Sequence, residues 1–168
     1  MKTPPVRRRL SIFFLILGSF ALLPLLALAK DSDLKIVRVF TGWREAASFK
    51  RIAEYFDGQE HSGGEIVLRT NSGDRGGYYF LTRIANPGAP VGAKLVLQVV
   101  MPGTAAPRSF TFPTSLSSGS VVFNLGLTGA DWPDKRVHPV AWKLDVVTSD
   151  GQMLTTEQSY LWEKPASE

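Results

Sequence analysis

The segment 141–162, AWKLDVVTSDGQMLTTEQSYLW, decides the fold class. On its first arm Trp142, Leu144 and Val146 recur at every second position, and on its second Leu154, Tyr160 and Trp162 share one parity. A strand sends alternate side chains to opposite faces, so each arm has one apolar side. Between the arms stands Ser149-Asp150-Gly151-Gln152. Asp-Gly between two alternating runs is a strong signal for a tight hairpin, because the favoured turns need positive backbone dihedrals. The segment therefore predicts a β-hairpin that buries Trp142, Leu144, Leu154 and Trp162.

Toward the N-terminus the same alternation returns. In 94–101, Leu95, Leu97, Val99 and Met101 fall on one side and Lys94 and Gln98 on the other, before Pro102-Gly103. Phe123, Leu125 and Leu127 mark a strand over 121–127, Phe110 and Phe112 one over 108–112, and a further strand over 78–85 ends at Asn86-Pro87-Gly88. Ile66, Leu68 and Thr70 share a side of 65–70, and the Gly-rich stretch 72–77 reads as a turn. Residues 34–41 make an opening strand through Ile36, Val37, Val39 and Phe40. Over 44–56 the period changes: Ala46, Phe49, Ile52, Ala53 and Phe56 lie at helical offsets, which predicts a short helix, or a pair of turns, ended by Gly58. An irregular edge strand over 48–56 is the competing reading. Short strands at this spacing suit an all-β, immunoglobulin-like antiparallel β-sandwich, with a jelly roll or a small partly closed barrel sharing the same signals.

Ahead of these strands, Lys2 and Arg7, Arg8, Arg9 precede an apolar run over 10–29 that ends Ala27-Leu28-Ala29. A charged start, an apolar middle and a small-residue end describe an export signal cleaved after Ala29, with Lys30 as the new N-terminus. The run is also long enough to cross a hydrocarbon core of roughly 30 Å, so an uncleaved N-terminal anchor is the alternative. Residues 30–168 then form a single β-sandwich domain, with 163–168 a flexible tail, in a periplasmic or secreted location; the compact signal favours a bacterial envelope.

All of the net charge of +4 lies in that leader, since residues 30–168 hold fifteen Lys and Arg against fifteen Asp and Glu. A balanced composition gives no large attraction for nucleic acid, and no polybasic run marks an anionic membrane surface, so membrane contact is expected only if the N-terminal segment is retained. With no cysteine in the chain, disulfides are excluded and packing alone must hold the domain.

The residues offer little for catalysis. His61 and His138 are the only histidines. Asp57-Gly58-Gln59-Glu60-His61-Ser62 contains a base, a carboxylate and a hydroxyl, but neighbours in sequence seldom converge as a triad, and a polar turn explains the stretch. Two distant histidines do not make a zinc site, and the acids at 131–134 lack the spacing of a calcium loop. No catalytic residue, metal or cofactor is assigned. Aromatic residues carry the binding expectation instead. Trp132, in Asp131-Trp132-Pro133-Asp134, is read as an exposed anchor oriented by Pro133 and flanked by Asp131 and Asp134, with Trp43 or Tyr79 as helper; a Trp132 that plugs the end of the core is the alternative. The resulting expectation is a non-catalytic extracytoplasmic binding or assembly module for an envelope protein or glycan. A small extracytoplasmic hydrolase acting on glycans is the alternative.

Overall fold

The computed structural model describes residues 33–162. The expected export signal over 1–29 and the tail over 163–168 lie outside them. Eight strands form two four-stranded sheets: β1 (Lys35–Arg44), β2 (Ile66–Arg69), β3 (Gly77–Asn86), β4 (Val91–Val100), β5 (Arg108–Leu116), β6 (Gly119–Thr128), β7 (Ala141–Thr148) and β8 (Met153–Gln158). Sheet A has the order β1-β3-β6-β2, and sheet B the order β5-β4-β7-β8.

The core is the alternation made physical. Tyr78, Phe80 and Ile84 of β3 and Phe123, Leu125 and Leu127 of β6 face Leu95, Leu97 and Val99 of β4, Leu144 and Val146 of β7, and Phe112 and Leu116 of β5. Burying each such side chain stabilises by roughly 1.5–3 kcal/mol, enough to hold a domain of this size without covalent links. β5 continues through Pro113, beyond its expected end, because it is an edge strand where a missing N–H deprives no neighbour.

The structure departs from the sequence reading in one point of topology and decides between the alternatives for 44–56. The sandwich is not wholly antiparallel: β2 runs parallel to β6. β1 and β2 occupy opposite edges of sheet A and point the same way, so the chain between them must cross a face of the sheet. The inner face is core, so the crossover 45–65 lies over the outer one. Of the readings for 44–56, the structure has the pair of turns: β1 runs on to Arg44, followed by a 3-10 turn at Ala46–Phe49 and a single helical turn at Glu54–Asp57. Phe49 is buried there, but Ile52 and Phe56 are 79% and 85% exposed, because the sheet beneath offers a seat for one ring only. Gly58 does end the second turn as expected, its left-handed backbone sending an N–H to the Glu54 carbonyl.

The C-terminal hairpin is present with a different turn. Only Gly151 has a positive φ, its N–H bonds the Thr148 carbonyl at 3.0 Å, and the register shifts between Val146 and Val147. Asp150 thus keeps an ordinary backbone, and the Gly151 bulge absorbs the mismatch. β8 stops at Gln158, where the Ser159 hydroxyl accepts the Trp142 N–H at 2.9 Å and ends the ladder. Tyr160 therefore leaves the buried face and is exposed.

Candidate functional site

The outer face of sheet A is built from residues of opposite parity to the core. β1 supplies Arg38, Phe40, Gly42 and Arg44; β3 supplies Tyr79, Leu81 and Arg83; β6 supplies Val122, Asn124 and Gly126. The four strands of this sheet carry five cations, Lys35, Arg38, Arg44, Arg69 and Arg83, and no Asp or Glu. Among the described residues only Arg69 of the five has a carboxylate partner. The strands themselves hold no acid, and the carboxylates that reach this face come from the crossover before β2: Glu60 on Arg69, and Glu65, which accepts the Asn124 amide at 3.1 Å. Phe40, 59% exposed, and Val37 stand among the cations, with the Arg38 guanidinium 5.1 Å from the Phe40 ring centre.

Two hollows share Phe40 and Leu81. One, of about 250 Å³, is lined by Val37, Arg38, Phe40, Leu81, Arg83 and Val122. The other, of about 230 Å³, continues past Gly42 to Trp43, Arg44 and Tyr79. A β-carbon on Gly42 would meet no atom within 4 Å, so the missing side chain leaves the second hollow open.

The crossover 45–65 stands over the far end of this face and is pinned by Arg69. The Arg69 side chain bonds both Glu60 oxygens, at 2.6 and 3.1 Å, and its Nε donates to the Tyr79 hydroxyl at 2.9 Å. Tyr79 in turn donates to the Arg75 carbonyl, and Arg75 pairs with Glu54 and Glu60. The Phe49 and Tyr79 ring centres are 4.7 Å apart, and the Tyr79 ring lies so close over Gly126 that a β-carbon there would sit 2.5 Å from it. Hydrogen bonding from Arg69 holds the Glu60 carboxyl below its ordinary pKa. Burial pushes the Tyr79 phenol up. It also opposes the Arg69 charge, but the bonds to Glu60 and Tyr79 outweigh it and raise that pKa.

The residues expected to bind are placed differently from their reading. Trp132 is not exposed: at 1% exposure it stacks on Tyr78 with ring centres 4.7 Å apart, and its Nε1 donates to the Val137 carbonyl. A 3-10 turn at Gly129–Asp131 folds the loop back so that the indole closes the end of the core. Asp131 takes the Arg108 guanidinium at 2.6 Å, and Asp134 takes Arg136, whose hydrogen bonds keep the Asp134 pKa low. Tyr79 is buried beneath the crossover, and Trp43 is half-buried with Nε1 lacking a hydrogen-bond partner. Trp43 and Trp132 both line an open cleft of about 410 Å³ with Pro133, Asp74 and Arg75. The residues missed by sequence reading are Arg38, Phe40, Leu81, Arg83 and Val122. No sequence signal singled them out, since β4 and β5 of the other sheet hold no acid either.

His61 Nε2 lies 2.6 Å from Asp57 Oδ2, beside a small polar hollow of about 80 Å³ that includes Ser48 and Ser62. Asp57 titrates low, chiefly through the Gln59 N–H and then through His61. Among the described residues, however, Ser48 donates to the Glu45 carbonyl rather than to the imidazole. His138 packs edge-on against Tyr78. No three metal-ligating side chains converge among the described residues.

Comparison with known proteins returned no match to a protein family, a curated sequence or a solved structure.

Proposed function

We propose that the chain is a non-catalytic extracytoplasmic binding or assembly module that engages an envelope protein or glycan through the outer face of sheet A. The observation that carries this reading is the coexistence of exposed Phe40 and Val37 with four cations that have no carboxylate partner among the described residues. Exposed apolar area ringed by unneutralised charge is costly for a monomer and ordinary for an interface. Export follows from the leader over 1–29, and an N-terminus at Lys30 in the mass of the recovered protein tests it.

The scaffold is an immunoglobulin-like variant in this reading. β1, β3 and β6 take the places of strands A, B and E; β4, β7 and β8 take those of C, F and G; and β2 occupies the sheet edge beside E. Capture from the native envelope with the wild-type chain and with a Phe40→Ser, Arg83→Ser double variant tests the function. One stoichiometric partner, held by the wild type and lost by an equally stable variant, is expected. Retention by the variant overturns the assignment. The His61–Asp57 contact supports a second reading, a small hydrolase acting on glycans, which requires glycan cleavage that His61→Ala abolishes.

A further inference from the structure

We propose that the outer face of sheet A receives an acidic, extended polypeptide segment, which drops a bulky apolar side chain among Val37, Phe40, Leu81 and Val122 and lays carboxylates beside Arg38 and Arg83. This rests on the reading of that face as the binding surface and specifies the chemistry of what binds there.

Register supplies the first argument. Arg38 and Arg83 are direct cross-strand partners on β1 and β3. Like charges placed opposite one another destabilise a sheet, and here no carboxylate of the described residues relieves the pair. An incoming carboxylate does. Guanidinium groups suit it, since each presents a planar fork of donors matched to two oxygens.

Shape supplies the second. The hollow that Arg38 and Arg83 help to line, about 250 Å³, is otherwise walled by Val37, Phe40, Leu81 and Val122, and a second hollow sharing Phe40 and Leu81 continues along β1 over Gly42. A chain lying on this face thus finds the paired guanidinium groups beside an apolar recess for a ring or branched side chain. Other occupants fit less well. A second copy stacked face to face sets arginine against arginine. A bilayer is flat, whereas the crossover seated on Tyr79 through Phe49 stands as a wall at one end of the recess. An acidic polysaccharide brings carboxylates but no bulky apolar side chain.

The test uses the full chain as recovered from the expressing cell. Probes are a short labelled peptide alternating glutamate with phenylalanine and leucine, its counterpart with lysine for glutamate, vesicles of phosphatidylglycerol, and polygalacturonate. The glutamate peptide is expected to bind, to weaken as salt rises, and to lose about tenfold in affinity in Gly42→Leu and in Arg38→Ser. A β-carbon at Gly42 meets no atom within 4 Å and opens onto the second hollow, so the melting temperature of Gly42→Leu should match that of the parent. Equal binding of the lysine peptide, indifference to both variants, no peptide binding, or binding of vesicles or polysaccharide in place of peptide each overturns the proposal. The failures separate by capture from the envelope. A native partner lost in Gly42→Leu, with no acidic peptide bound, leaves the face and removes the acidic segment; a partner indifferent to Gly42→Leu removes the face itself.

Discussion

The two outer faces of the sandwich solve the same problem in opposite ways. On sheet B the strands carry Lys94, Arg108 and Lys143 with Asp145 and Glu157, and each cation has a protein partner: the Ser149 carbonyl, Asp131 and Asp145 respectively. Asp145 also accepts the Thr156 hydroxyl at 2.6 Å, closing a polar ladder between β7 and β8. Met153, at the start of β8, is the one large apolar side chain that the strands of sheet B leave exposed among the described residues. Sheet A leaves Phe40 and Val37 open beside four cations with no carboxylate partner among the described residues. Both faces cover the same core, so the difference is not required for folding. On the proposed reading, satisfaction of surface polar groups, rather than hydrophobicity alone, separates a solvated face from one built for contact.

The largest expected effect lies between the faces. Trp132→Ala removes the indole that closes the core and should cost about 3–5 kcal/mol of unfolding free energy, read by denaturant titration. A change within about 0.5 kcal/mol would mean that the loop belongs to a surface after all. Next, Arg69→Ala strips Glu60 and the Tyr79 hydroxyl of their charged partner and should cost about 1.5–3 kcal/mol, with amide exchange rising first over 46–58. Acid should act on the same contact. The Glu60 pKa is depressed in the fold, so its stabilisation is present above the ordinary value of 4.5 and is lost as pH falls through the lower folded value. The crossover should then loosen while sheet B keeps its protection, and simultaneous loss of both would erase the distinction. Phe40→Ser should leave stability within about 0.5 kcal/mol yet weaken partner binding by about 2 kcal/mol. Smallest of all, Val96→Ser on the outer face of sheet B should leave binding unchanged, and a loss there equal to that of Phe40→Ser would break the comparison.

Sheet B was legible because its strands alternate cleanly and its turn carries Asp150-Gly151. β2 was visible as a strand, but its parallel partner was not, since four residues cannot say which edge they join. Over 44–56 the pair of turns was legible but not which residues would be buried, because periodicity measures a face without supplying the surface that would bury it; only Phe49 found one. Trp132 misled because a loop of polar and proline residues looks exposed until the 3-10 turn folds its indole inward. The cations of sheet A escaped notice because Arg38 and Arg83 are far apart in sequence and become neighbours only through strand register. Composition could report that charges balance, but not that the strands of one sheet hold no acid.

Amide chemical-shift mapping of the isotopically labelled chain, titrated with the partner captured from the envelope, tests the central claim most directly. The largest shifts should fall on Arg38, Phe40, Gly42, Leu81, Arg83 and Val122. Shifts centred instead on Val96, Gln98 and Lys143, or on the 131–134 loop, would contradict the assignment of the binding face to sheet A.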